Sequence, residues 1–108
     1  MIQNITRPEW QIARIKDLQL QAIADYLRRL VREKNDDPRT FEARDLVKGD
    51  WAGTPLNIIL QHYTTRDTQS IALGKIFKRA LFDDQIYTYK MTKESVRGKE
   101  IAHYTKVE

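Results

Sequence analysis

The residues best suited to bind another molecule are basic ones in the C-terminal part of the chain. Residues 69–108 contain eight Lys or Arg against five Asp or Glu, whereas residues 41–68 contain three against four. Lys and Arg beside phosphates release counterions, which supplies most sequence-independent affinity for nucleic acid. The candidates are Lys75, Lys78 and Arg79 on one face of a predicted helix, and Lys90, Lys93, Arg97 and Lys99 around a predicted loop between two strands.

Neutral polar and aromatic residues accompany these cations. Gln69 and Ser70 begin the same predicted helix and could hydrogen-bond base edges or phosphates. Tyr87, Tyr89 and Tyr104 could stack on bases, but tyrosines in paired strands more often pack over neighbouring helices. Two interpretations without nucleic acid stay open for these basic residues. Those of the helix could form an ordinary solvated face, and those of the loop could protect a sheet edge from pairing with another chain.

Residues that could support catalysis or metal binding are few. They are the pairs Asp36-Asp37 and Asp83-Asp84 and the histidines His62 and His103. A zinc site needs three or four converging ligands, and Asp at helix ends usually makes local hydrogen bonds. Without cysteine, a disulfide, a thiolate metal site and a cysteine nucleophile are excluded. The sequence therefore predicts no enzyme, metal or cofactor, and a metal-dependent nuclease using Asp83, Asp84 or His103 is a remote alternative.

Length and composition predict one domain covering residues 1–108. Hydrophobic residues make up 41% of the 108 residues, the formal net charge is +4 and the pI is about 9.4. Basic character permits an acidic partner but does not require one. The first five residues lack the apolar core of a secretion signal, and no stretch is long enough to span a membrane. We therefore expect a cytoplasmic protein that does not bind membranes.

A long amphipathic helix is predicted for residues 8–34. Thr6 and Glu9 have capping-box spacing, and Pro8 suits a first helical turn. The following apolar residues recur at helical spacing without a Gly or another Pro. Such a helix would overhang a domain this small, so it either dimerises or lies across the rest of the chain. The candidate dimer or partner interface consists of Trp10, Ile12, Ile15 and Ile23.

The remaining pattern predicts three further helices and two strands in residues 40–108. Helices are expected at residues 41–48, 55–63 and 69–81, with a loop at residues 64–68. Alternation at residues 86–91 and 101–107 predicts strands, separated by a polar loop at residues 92–99. Because a two-stranded sheet is marginal alone, it should pack on the helices or pair with an extended segment near residues 39–43.

Four segments resemble winged-helix domains attached to replication proteins of phages and plasmids. These segments are IILQHY at residues 58–63, LGKIFKRA at residues 73–80, RGK at residues 97–99 and HY at residues 103–104. The resemblance covers about half the chain and includes no catalytic motif. It implies a mainly α fold with a C-terminal β-hairpin (α+β), with a helical core and wing at residues 40–108. The long helix predicted for residues 8–34 precedes this part and is outside the resemblance.

The resemblance and the charge distribution together predict a winged helix-turn-helix protein that binds DNA, with double-stranded DNA as the expected form. The second helix of a helix-turn-helix pair enters the major groove. A homodimer through the predicted helix 8–34 is expected, and a regulator or mobile-element protein would fit. The main alternative is a non-enzymatic interaction module that docks a partner protein through that helix.

Overall fold

The computed structural model describes residues 1–9, 12, 14–34, 40–47, 49 and 51–107. These residues form an α+β fold with four helices and a three-stranded antiparallel sheet. The elements are α1 (Asp17–Glu33), β1 (Thr40–Phe41), α2 (Ala43–Leu46), α3 (Asn57–His62), α4 (Arg66–Phe82), β2 (Thr88–Val96) and β3 (Lys99–Val107). None of the helices in the described part of the chain is long and apolar enough to cross a membrane.

Helix α1 begins at Asp17, so the prediction of a helix starting at residue 8 is wrong. Arg14 has a φ of 76°, in the left-handed region that an α-helix does not use, and the Ile15 N–H bonds to the Ile12 carbonyl in a turn. Ile12 and Ile15, which lie before the helix, are nevertheless buried in the core, and this burial explains the apolar spacing there. Periodicity alone does not distinguish that arrangement from another helical turn.

The predicted dimer interface also requires correction. Ile12, Ile15 and Ile23 are buried in the hydrophobic core of the chain itself, so their side chains are not available to a second copy. Trp10 lies outside the described residues. On its buried side α1 packs against α4, and Arg28 Nη1 of α1 donates a 3.0 Å hydrogen bond to the Ala80 carbonyl of α4.

Strand β1 replaces the first residues of the predicted helix 41–48, which is reduced to α2. Thr40 pairs with Thr105 and Phe41 with Tyr104, so the predicted pairing of an extended segment near residues 39–43 is confirmed. Phe41 is buried and lies against Phe77 and Tyr89, with ring centroids 6.2 Å from each. Burial of this aromatic residue in the sheet outweighs the local helical pattern.

Strands β2 and β3 are longer than predicted and are joined directly at Arg97 and Gly98. Val96 pairs with Lys99, so the predicted loop at residues 92–99 is wrong. Arg97 and Gly98 have φ values of 53° and 80°, as a two-residue turn with positive φ at both positions requires. Residues 92–99 are all exposed, so both faces of this part of the strand pair meet solvent, which suits their mainly polar side chains.

The sheet order is β1-β3-β2, and its buried face packs on α4. Tyr104 stacks on Phe77 with centroids 5.4 Å apart, and Tyr89 is fully buried. Two of the three hairpin tyrosines thus pack in the core, as the sequence favoured.

Candidate nucleic-acid interface

Helix α4 is held by one face and exposes the other. Its buried residues are Ala72, Leu73, Ile76, Phe77, Ala80 and Leu81. The opposite side presents Ile71, Gly74 and Lys75, which are exposed, and Lys78, which is half-buried; Arg66 and Ser70 are exposed in the first turns, beside the buried face. Within the described part of the chain, neither Lys75 nor Lys78 has an ion-pair partner. Both ammonium groups are therefore available to an external anion.

Arg79 does not share this exposed side, contrary to the prediction. Its side chain is only 13% exposed, and its Nε lies 2.7 Å from Asp83 Oδ2. Its Nη1 donates a 3.0 Å hydrogen bond to the Pro8 carbonyl, which ties the N-terminal segment to α4. These contacts direct Arg79 toward the N-terminal segment, whereas Lys75 is exposed and Lys78 is half-buried without such partners among the described residues.

The two polar residues predicted at the start of the helix differ in their surroundings. Gln69 Nε2 donates a 2.9 Å hydrogen bond to the Tyr63 carbonyl, so its amide connects α4 to the end of α3. Ser70 is exposed. Of this pair, Ser70 is thus the more accessible to a ligand.

The end of the β2–β3 pair lies beside the first turn of α4. Lys99 Nζ is 3.5 Å from Asp67 Oδ1, and both side chains are exposed. Lys93 Nζ is 3.6 Å from Glu100 Oε2, so its charge is partly offset. Arg97 is exposed at the turn, and Lys90 is exposed farther along β2. The structure thus brings Lys99 to α4 and leaves Lys90 and Lys93 on the strand.

A surface groove adjoins the first turns of α4 and contains arginines that the sequence analysis did not select. Its volume is about 600 Å³. Arg66 and Ser70 of α4 line it, with Arg44 and Trp51 across from them. The signal that would have revealed Arg66 is the cap of the helix: Thr65 Oγ1 accepts from the Thr68 N–H at 3.2 Å, as Ser or Thr at an N-cap does. A helix starting at Arg66 places residues 66, 70, 74 and 78 in one row.

The buried carboxylate of Asp84 is surrounded by hydrogen-bond donors of the chain itself. Its carboxylate accepts hydrogen bonds from the Ile86 N–H at 2.8 Å, the Tyr87 N–H at 3.3 Å and the Tyr89 hydroxyl at 2.8 Å, and Arg32 Nη2 lies 3.4 Å away. Burial alone would raise the pKa of Asp84, but the bonds from Ile86, Tyr89 and Tyr87 and the charge of Arg32 together lower the pKa below its usual value. The carboxylate fixes the connection between α4 and β2.

The other candidate acids and histidines are dispersed. Asp83 bonds to Arg79, and His103 Nε2 on β3 lies 3.1 Å from Glu94 Oε2. His62 is half-buried at the end of α3, whereas Asp36 and Asp37 lie outside the described residues. Among the described residues, no group of three or more His, Cys, Asp or Glu side chains is placed to hold a metal ion.

The exposed side of α4, the neighbouring groove and the end of the β2–β3 pair thus bring together Arg44, Arg66, Lys75, Lys78, Arg97 and Lys99, four of which are predicted site residues. No protein-family model, curated protein or solved structure matches the chain.

Proposed function

We propose that the chain is a winged-helix domain that binds double-stranded DNA. Support comes from the order of elements: helices, then a basic helix, then two antiparallel strands. These strands form a sheet with β1 in the order β1-β3-β2. Helices α3 and α4 are separated by only residues 63–65, as in a helix-turn-helix pair. In this proposal α4 is the recognition helix and the β2–β3 pair is the wing.

The observation that carries the proposal is the contact between Lys99 and Asp67. It joins the end of the β2–β3 pair to the beginning of α4, so cations from both elements can face one duplex. A helix in the major groove brings its N-terminal residues to the base edges. Ser70 then reaches a base edge or phosphate, while Arg97 and Lys99 contact the flanking backbone.

Each basic residue has a distinct part in this mechanism. Lys75 and Lys78 neutralise phosphates along the groove and release counterions. Arg66 and Arg44 face a backbone phosphate from the adjoining groove. Arg79 does not contact DNA; it holds α4 through Asp83 and Pro8.

The alternatives have less support. A partner-docking helix at residues 8–34 would need Ile12, Ile15 and Ile23 on its surface, and these residues are in the core. A nuclease site at Asp84 would need an accessible carboxylate, and this side chain is fully buried.

The proposal is tested by measuring fluorescence anisotropy of a labelled 20-base-pair duplex of random sequence. We expect the wild type to bind at low salt and to lose affinity steeply as salt rises, and the double variant Lys75→Glu, Lys78→Glu to bind about tenfold or more weakly. The control Lys16→Glu, Arg29→Glu makes the same charge change at exposed positions beside and on α1. Equal loss in both double variants, or no wild-type binding at low salt, would contradict the proposal.

A further inference from the structure

An apolar side chain and a residue without a side chain lie next to each other on the exposed side of α4. Ile71 is 60% exposed, and Gly74 follows it three residues later. Residues three apart in a helix lie on the same face. Lys75 and Lys78 follow Ile71 at four and seven residues, and Asp67 precedes it by four, so this exposed apolar side chain is bordered by charged residues.

The fold does not require glycine at position 74. A Cβ atom built there meets no other atom within 4 Å, and the backbone is ordinary helix. Glycine inside a helix is less favourable than alanine by about 1 kcal/mol. Gly74 therefore lowers the stability of α4 relative to alanine, at an exposed position that faces away from the core. A missing side chain at such a place allows a partner to approach the helix backbone closely.

The surroundings favour DNA as that partner. A protein-binding face of this size would carry several adjoining apolar side chains, whereas Ile71 is bordered by Ser70, Lys75 and Lys78. The major groove presents one apolar group among its polar base edges, the 5-methyl group of thymine. An isolated isoleucine with Lys75 and Lys78 on its C-terminal side complements that combination of one methyl group and nearby phosphates.

We propose that Ile71 contacts the 5-methyl group of thymine and that Gly74 leaves the space for the base pair to come close enough. The inference rests on the proposed insertion of α4 into the major groove. It adds a preference for thymine at one position of the bound site and makes Ile71 a specificity-determining residue.

The test compares two 20-base-pair duplexes, alternating d(AT) and alternating d(AU), which differ in the methyl group. The alternating sequence offers thymine wherever α4 docks. We expect the wild type to bind the d(AT) duplex about fourfold more tightly, the equivalent of one buried methyl group. Ile71→Ala should bind both duplexes equally. The control Ile86→Ala removes an isoleucine that is 65% exposed outside α4 and should keep the wild-type ratio.

A second variant tests the role of Gly74. We expect Gly74→Ala to raise the thermal midpoint and to bind both duplexes more weakly, about fivefold or more, because the added methyl group blocks close approach. Circular dichroism checks that each variant is folded. Gly74→Ala binding as tightly as the wild type would overturn the role assigned to this glycine.

The failures of the two proposals are distinguishable. Wild-type protein that binds neither duplex at low salt contradicts DNA binding itself. Equal wild-type affinity for both duplexes leaves DNA binding intact and overturns the thymine contact. A wild-type dimer in sedimentation that dissociates in Ile71→Ala would assign this face to a second copy and would also overturn it.

Discussion

The ammonium group of Lys99 lies 3.5 Å from the carboxylate of Asp67, across 32 residues of sequence. Lys99, at the end of the β2–β3 pair, thus lies beside the first turn of α4. The same pair places one negative charge within the basic surface. A phosphate that approaches Lys99 must compete with Asp67, so the contact tempers the affinity of the surface for any polyanion.

The first prediction concerns that competition. Asp67→Asn should increase affinity for a random duplex by about two- to fivefold, because an exposed ion pair is worth at most about 1 kcal/mol, and should steepen the salt dependence. Fluorescence anisotropy at several salt concentrations measures both effects. Asp17→Asn is the matched control, since Asp17 is an exposed aspartate in the first turn of another 17-residue helix. Unchanged affinity in Asp67→Asn would place Asp67 outside the interface.

The second prediction separates two adjacent cations of α4. Arg79→Ala should destabilise the fold by about 1–3 kcal/mol, because it removes the donor to the Pro8 carbonyl and leaves Asp83 with only Arg7, 3.4 Å away, among the described residues. Below its thermal midpoint, this variant should bind duplex with nearly wild-type affinity.

Lys78→Ala is the reciprocal variant. It should leave the thermal midpoint nearly unchanged and weaken duplex binding, with a salt slope reduced by about 1. Thermal unfolding and anisotropy distinguish the two variants. The reverse result, in which Arg79→Ala weakens binding at an unchanged midpoint, would refute the orientation of α4 in this account.

The third prediction concerns the turn between β2 and β3. Arg97 has a φ of 53°, a conformation that asparagine adopts with less strain. Arg97→Asn should therefore raise stability by about 0.5 kcal/mol, or about 3 °C in the thermal midpoint, and should weaken duplex binding. Gly98→Ala, at a φ of 80°, should lower stability without changing charge. Duplex affinity unaffected by Arg97→Asn would contradict a DNA contact at the turn.

The fourth prediction is the response of stability to pH. Because folding lowers the pKa of Asp84, the folded state binds fewer protons than the unfolded chain near the ordinary Asp value of about 3.9. The stabilising contribution is complete above that pH and is lost as pH falls through the folded pKa. Asp84→Asn should be less stable at neutral pH by about 2 kcal/mol, with a flatter profile below pH 4. Denaturant unfolding measures both, and Asp17→Asn should keep the steep acidic loss. Parallel profiles for wild type and Asp84→Asn would contradict this assignment.

Tyr89 contributes to the dependence of folding stability on pH in the alkaline range. Burial, with the bond to Asp84, raises the pKa of its hydroxyl. The folded state therefore holds a proton that the unfolded chain releases above about pH 10, so stability falls as pH rises past that value. Tyr89→Phe should remove part of this alkaline loss in the same unfolding measurement. An unchanged alkaline slope in this variant would count against the buried hydroxyl as its source.

Much of the architecture follows from local patterns in the sequence. The periodicity of residues 69–81 indicates α4, and alternation around Tyr89 and Tyr104 indicates the paired strands, because one face of each element is buried. The pairing of residues 40–41 with β3 follows from the need of a short sheet for another strand.

Other features depend on tertiary contacts that no local pattern shows. Ile12 and Ile15 are buried from a non-helical segment, and the left-handed Arg14 that redirects the chain has no turn residue to mark it. Helical spacing predicts Lys75, Lys78 and Arg79 on one face, but Asp83 and Pro8 draw the Arg79 side chain away from the other two. Asp84 has a partner, Arg32, that lies 52 residues away in sequence.

The surface on which duplex DNA binds is the central claim, and amide chemical shifts measured during titration with a random 20-base-pair duplex test it most directly. We expect shift changes concentrated at Ser70, Ile71, Lys75 and Lys78 of α4 and at the Arg97–Gly98 turn, with Arg29 of α1 unaffected. Changes confined to α1, or none at a protein concentration where the duplex is fully bound, would contradict DNA binding at this surface.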